Sequence, residues 1–312
     1  MARILVIGGG PAGISAALYA RRGGLDVTVF TKGTGALAKA ERVENYYGLP
    51  EAVSGEQLNR QGLDGARRIG VDLVEAEVVG VGMDDTWSRF VVSTAAGTWD
   101  GDAVILAAGA SRIVPPLPGV RELEGRGVSY CAVCDAFFYR QKTVAVLGSG
   151  AYALHEAEAL LPHAAAVYLL TDGREPDVAV PPSLRVVTDR LASLEGAQDS
   201  PARVRAVTFA DGRSLSLDGL FIALGTAGST DLARKMGAQI QGNRVCVDAA
   251  TMATNVPGLY AAGDCTGGLL QVVKAAYEGA LAGLSALKYV RDREKAAQSR
   301  EGGSHARTDG AD

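Results

Sequence analysis

The sequence predicts an α/β protein made of two Rossmann-like nucleotide-binding units, and three observations carry that prediction. A strand, glycine turn and helix near the start recur 140 residues later. A further buried-strand pattern, Ala103-Val104-Ile105-Leu106, stands between the two copies. Apolar residues make up 47% and charged residues 21% of a 312-residue chain, the balance of a globular protein long enough for about two domains.

In the first copy, Ile4-Leu5-Val6-Ile7 reads as a buried strand. Gly8-Gly9-Gly10-Pro11-Ala12-Gly13 is the turn, and Ile14, Ala17 and Leu18 share one face of a helix that Arg21-Arg22 and Gly23-Gly24 end. In the second copy, Val144 to Leu147 leads into Gly148-Ser149-Gly150-Ala151-Tyr152-Ala153 and a helix through Leu160-Leu161 that Pro162 stops. Gly8 corresponds to Gly148, Gly10 to Gly150 and Gly13 to Ala153, and the following strands end in Thr31-Lys32-Gly33 and Thr171-Asp172-Gly173. A lone glycine motif is weak evidence, but one set between strand and helix and repeated at a fixed offset is strong. In such a turn the first glycine permits the sharp bend. The second admits backbone amides to a pyrophosphate, and the third, or an alanine, lets helix pack on strand. The helix N-terminus adds positive dipole and free N–H groups.

After the first unit, Pro115-Pro116 and Pro118-Gly119 read as a hinge or linker. Short strands are expected over Val204 to Phe209, Gly219 to Leu224 and Val245 to Val247. An amphipathic helix over Leu270 to Val290, bearing Glu278 and Lys288, follows. From Arg291 the chain turns charged and poor in large apolar groups, so residues 294–312 are expected to form a disordered tail.

Thirty-one basic against 35 acidic residues give a net charge of −4, which offers no basic footprint for nucleic acid or an anionic membrane. The opening apolar run is too short for a signal-peptide core, and no later run approaches the ~18 residues of a membrane span, so a cytoplasmic protein is expected. Of four cysteines, Cys131 and Cys134 stand as Cys-x-x-Cys, a pattern of redox or metal chemistry in a reducing compartment. Metal is the weaker reading, because Cys246 and Cys265 are distant and His155 and His163 fall on or after the second helix. Two thiols one helical turn apart let one thiolate attack a disulfide and the other resolve the mixed disulfide.

Four segments together, Gly8 to Gly13, Val43-Glu44-Asn45-Tyr46-Tyr47-Gly48, Cys131-Ala132-Val133-Cys134-Asp135 and Val256-Pro257-Gly258-Leu259-Tyr260-Ala261-Ala262-Gly263-Asp264, resemble those of the low-molecular-weight thioredoxin reductases. The resemblance covers the chain to about Val290. It implies a discontinuous FAD domain, residues 1–114 and 246–293, with a Cys-x-x-Cys domain, 115–245, inserted between, and a homodimer. It further implies that Gly8, Gly10, Pro11, Ala12 and Gly13 hold the FAD pyrophosphate, that Asn45 lies near the flavin, and that Ala108-Gly109 pass close to the dinucleotide. Gly263-Asp264 would meet the ribityl and phosphate side, and Gln271-Val272 the ring. Cys134 would be the flavin-side thiol, Cys131 the thiol that exchanges with thioredoxin, and Asp135, in a partly buried place, the acid that protonates the departing thiolate. Thr31 and Ala36 depart from the family's usual acid and glutamine.

The donor is a second departure. Family members usually take hydride from NADPH through a basic cluster after the second glycine motif, and here that place reads Tyr168-Leu169-Leu170-Thr171-Asp172-Gly173. Gly148, Gly150, Ala153 and Asp172 form a possible second nucleotide site in which Asp172, 24 residues after Gly148, suits an unmodified ribose and hence NADH. Asp172 equally suits a solvated turn. Alternatively, with Tyr152 and His155 crowding the loop, the site has lost nucleotide binding and ferredoxin supplies the electrons. NADPH is least favoured. Two rival functions remain: a dithiol oxidase closing small-molecule disulfides, and a non-catalytic flavoprotein redox sensor.

Overall fold

The computed structural model describes residues 2–109, 114–197 and 202–305, with side chains in the last helix to Ser299. The first unit opens with β1 (Arg3–Ile7), α1 (Pro11–Arg22), β2 (Asp26–Thr31), α2 (Gly55–Arg68) and β3 (Asp72–Glu75). The chain then makes an antiparallel sheet that the sequence reading missed, β4 (Val78–Met83), β5 (Phe90–Thr94) and β6 (Gly97–Gly101), and returns as β7 (Ala103–Leu106). Glycines and polar residues interrupt the alternation of these strands, which is why no run of apolar residues announced them.

The second unit contains β8 (Val128–Ser129), α3 (Ala132–Asp135), β9 (Thr143–Leu147), α4 (Ala151–Leu160), β10 (Ala166–Leu170) and β11 (Arg185–Val187). A second antiparallel sheet, β12 (Leu191–Gly196), β13 (Val204–Phe209) and β14 (Ser214–Ser216), precedes β15 (Gly219–Ile222) and α5 (Ser229–Lys235). The hairpin β16 (Ile240–Gln241) and β17 (Arg244–Val245) leads back to β18 (Leu259–Ala261) and α6 (Val272–His305).

Two five-stranded parallel sheets organise the molecule, ordered β18-β7-β1-β2-β3 and β11-β10-β9-β15-β8. The first joins strands from both ends of the chain, and the second uses only the middle. After the first residue of each, Arg3 and Thr143, their central strands β1 and β9 are apolar and closed to solvent, as strands covered on both faces must be. The repeat extends to hydrogen bonds: Gly8 N donates to Phe30 O (2.8 Å) and Gly148 N to Leu170 O (3.0 Å), again 140 residues on. One continuous core cluster runs from Leu5 and Phe30 through Val79 to Ala132, Tyr152 and Leu232, so the two units share packed side chains.

Three expectations need correction. The last helix begins at Val272 and continues to His305 rather than giving way to a tail at 294. Its Lys, Ala, Gln, Ser and Arg residues contain no proline, and Gly302 is the first glycine after Gly283. Residues 306–312 lie outside the described residues. Tyr152 and His155 do not crowd the second glycine turn. Tyr152 is buried with the Lys235 ammonium 5.0 Å from its ring centre, and His155 lies against β4, where a Cβ at Gly80 would come 2.9 Å from its Nε2. The strands expected to reach Leu224 and Val247 end at Ile222 and Val245. Part of the expected hinge is fixed: Pro118 O accepts from Leu194 N (2.8 Å) of β12. No helix among the described residues is long and apolar enough to cross a membrane.

Candidate active site

A cavity of about 860 Å³ opens at the carboxyl ends of the first parallel sheet, the place where such sheets bind ligands. Gly8, Gly10, Pro11, Ala12, Asn45, Ala108, Gly109, Gly263, Asp264, Gln271 and Val272 all line it. Gly13 sits one layer below, where a Cβ would come 1.8 Å from Gly8 O, so only hydrogen fits between helix and turn. Gly8 has φ +115°, and its Cβ would stand 2.3 Å from Ala107 O. Gly10, by contrast, has nothing within 4 Å of its Cβ position, so the start of α1 faces open space with Pro11 at its first position. A bare glycine turn aimed into a large cavity at a helix N-terminus fits the pyrophosphate of FAD.

Side chains distant in sequence brace this cavity. Asn45 Nδ2 donates to Gln271 Oε1 (3.1 Å), joining two residues 226 positions apart. Lys274 and Glu278, which no motif signalled, clamp the turn at Gly263: Gly263 N donates to Glu278 Oε2 (2.9 Å) and Lys274 Nζ to Gly263 O (2.7 Å). Gly279 and Gly283 bring α6 onto α1, since a Cβ at either would come 2.0 or 2.4 Å from Ala12 O or Ala16 O. Thr226 and Ala227 enter the lining from the second unit, and Ser229 Oγ accepts from Ala108 N (2.9 Å). Thr31, where an acid is usual, packs its Oγ1 against Gly9, and the nearby Lys32–Glu77 pair (2.5 Å) lines the cavity.

Cys131 and Cys134 are joined as a disulfide at the start of α3. Cys131 is the N-cap, only 2% exposed, and its Sγ accepts from Cys134 N (3.2 Å), whereas Cys134 is exposed. Neither lines the cavity. Asp135 is half-buried, and Ser129 Oγ donates to its Oδ2 (2.6 Å). Under the helix lies a buried ion pair absent from the sequence reading. Glu156 Oε2 accepts from Ala132 N (2.7 Å), while Glu156 Oε1 pairs with Lys235, whose Nζ also donates to Val79 O (3.4 Å). Burial and the Lys235 charge hold His155 below the usual imidazole range. Cys265 is fully enclosed, and burial pushes its thiol up to about 11, so it stays protonated.

The second glycine turn repeats the first with one difference. Gly148 has φ +155°, its Cβ would stand 2.3 Å from Ala223 O, and Gly150 caps α4 in extended conformation. Asp172, in left-handed conformation with φ +51°, uses its Oδ1 to accept from Leu191 N (2.8 Å), and Thr171 is buried. Over the turn lies Asp177, whose N donates to Ser149 O (2.9 Å) and whose Oδ2 accepts from Ser149 Oγ (3.1 Å).

Comparison with known proteins agrees with this architecture. Residues 2–279 match the family model described as pyridine nucleotide-disulphide oxidoreductase. The thioredoxin reductase of Listeria innocua is 31% identical, over 95% of this chain and 96% of its own length. That of Streptomyces coelicolor is 32% identical over 94% and 96%. Among solved structures, the atypical thioredoxin reductase TRi from Desulfovibrio vulgaris Hildenborough superposes with a TM-score of 0.85 at 36% identity, covering 94% of this chain and 99% of that one. A ferredoxin-flavin thioredoxin reductase from Clostridium acetobutylicum gives 0.67 at 29% identity, with the same coverage.

Proposed function

The chain belongs to the pyridine nucleotide-disulphide oxidoreductases and, within them, to the low-molecular-weight thioredoxin reductases, and from that premise we propose that it reduces thioredoxin with electrons from a donor other than NADPH. It is a flavin-dependent disulfide oxidoreductase, and its Cys131–Cys134 pair is the redox-active disulfide. Of the two donors that the sequence leaves side by side, an electron-carrier protein such as ferredoxin is preferred to NADH. The observation that carries this preference is the hydrogen bond from Leu191 N to Asp172 Oδ1: the carboxylate that would grip an unmodified ribose is committed through one oxygen to closing a turn. The likeness to the ferredoxin-flavin enzyme supports the same reading.

FAD, when bound, supplies a carrier that exchanges electrons singly or in pairs. The chain's own residues do the rest. The amides at Gly8 to Gly13 would hold the FAD pyrophosphate, and the hydrogen-bonded Asn45–Gln271 pair in the cavity lining would lie on the ring side. With the disulfide opened, the Cys131 thiolate attacks one sulfur of the thioredoxin disulfide and the other leaves as a thiolate that takes a proton from Asp135. Cys134 then loses its thiol proton and attacks Cys131 Sγ, restoring the internal disulfide, and that proton goes to the departing second substrate sulfur, so two electrons and two protons reach the substrate. Ser129 holds Asp135 Oδ2 by hydrogen bond, which leaves Oδ1 to carry the proton. Because Cys131 is shut off from solvent here, exchange requires the second unit to reorient, a step common in enzymes that face two partners in turn.

Leu269, Leu270, Val273, Tyr277 and Leu284 stand exposed at the start and along one face of α6, an apolar strip that supports a homodimer. Anaerobic mixing tests the donor. Reduced ferredoxin is expected to bleach the flavin, and bleaching by micromolar NADPH would refute the reading.

A further inference from the structure

We propose that Asp177 excludes pyridine dinucleotides from the second glycine turn and is therefore a specificity-determining residue for the electron donor. The proposal rests on the donor reading above and gives it a structural cause. The turn itself is built to take a pyrophosphate: Gly148 and Gly150 stand as Gly8 and Gly10 do, and the ten-residue helix α4 begins directly behind them. The two turns differ in what stands in front. At Gly10 the Cβ position has nothing within 4 Å, whereas at Gly150 the one atom in reach is Asp177 Oδ2, 3.9 Å away.

Two local differences hold the carboxylate there. The middle residue of the first turn is Gly9, where a side chain would collide with Thr31 Oγ1 at 2.4 Å, but in the second turn it is Ser149, whose hydroxyl donates to Asp177. Asp177 N in turn donates to Ser149 O, so backbone and side chain both fasten the segment across the turn. Pro176, Pro181 and Pro182 keep residues 173–182 out of helix, which leaves that segment free to fold back. A helix N-terminus carries about half a positive charge, less than the full negative charge of one carboxylate, so the place a pyrophosphate would occupy is net negative. Glu175 and its neighbour Arg174, both exposed on the same segment, carry opposite charges and leave Asp177 as the carboxylate that sets the sign at the turn.

The test uses the FAD-loaded protein, titrated calorimetrically with NAD⁺, NADH under anaerobic conditions, and NADPH. The wild-type protein is expected to show no saturation to about 1 mM, while Asp177→Gly binds NAD⁺ at least about tenfold more tightly, and Asp177→Asn, which keeps the contact to Ser149 without the charge, gains less. Asp177 is exposed, and unchanged flavin absorbance and circular dichroism verify that both variants fold. If neither variant gains affinity and the wild type still binds none of the three, the role of Asp177 is overturned while the donor reading stands. Micromolar binding of NADPH by the wild type overturns both.

Discussion

Removing the Lys235 cation from beneath the redox helix is expected to cost more than the loss of its hydrogen bonds to Glu156 and Val79 O suggests. The Lys235 and Glu156 side chains are 3% and 1% exposed, and the carboxylate also accepts from Ala132 N, the first amide of α3. Lys235→Met therefore leaves a buried carboxylate with one amide and no countercharge, a situation that costs about 3–5 kcal/mol. With an unfolding entropy of about 2.1 cal/mol/K per residue over 312 residues, the holoprotein should melt about 5–8 °C lower. Glu156→Leu combined with Lys235→Met removes both charges and should recover part of that loss, because an apolar pair of similar volume is often neutral or better while Ala132 N loses its acceptor at a cost of about 1–3 kcal/mol. The assay is thermal unfolding by circular dichroism at a fixed FAD concentration, since bound cofactor shifts the midpoint. A single variant within about 1 °C of wild type, or a double variant as unstable as the summed singles, would refute the reasoning that this pair is electrically coupled.

Asp135→Asn should slow thioredoxin turnover by about a hundredfold, at the low end of general acid catalysis, with FAD content unchanged; an unchanged rate removes Asp135 from the proton step. Burial and the Lys235 charge make His155 titrate in the fold below the ordinary imidazole value of 6.5, so below that pH the unfolded chain binds the extra proton first. Its stability contribution is thus present above 6.5 and lost as pH falls toward the folded value, and denaturation midpoints measured between pH 5 and 8 should flatten in His155→Gln.

What could be read from the sequence is what backbone geometry forces onto residue type. Gly8 and Gly148, with φ of +115° and +155°, admit only glycine against Ala107 O and Ala223 O, so the repeat survives as a visible pattern. The apolar runs of β1, β7, β9 and β10 survive because strands buried on both faces need them. The sequence could not show which remote side chains meet. The Lys274–Glu278 clamp on Gly263, the entry of Thr226 and Ala227 into the cavity wall, and Glu156 on Ala132 N each join segments through tertiary packing that leaves no local period. Asn45 and Gln271 are implicated by resemblance alone, and no local pattern shows that they are hydrogen-bonded to each other. The antiparallel strands of 78–101 were missed because Gly80, Gly82 and Gly97 break their alternation.

The two copies of one motif show that a glycine turn is only half of a binding site. Both offer helix amides and a close backbone approach, and both are followed by a strand with a threonine at or just past its end, Thr31 and Thr171. Their difference comes from the segment that covers each turn. Over the first lie residues 33–45 and 263–278, which supply glycines, an amide pair and a lysine–glutamate clamp, and they leave a cavity. Over the second lies a proline-rich stretch that delivers a carboxylate. Covering segments tolerate substitution more readily than the turns, whose glycines are fixed by sterics, so donor preference can change while the fold and the redox pair do not. That asymmetry explains how the chain keeps the whole architecture of a pyridine-nucleotide enzyme, including a well-formed second turn, alongside the loss of the basic cluster that would hold NADPH.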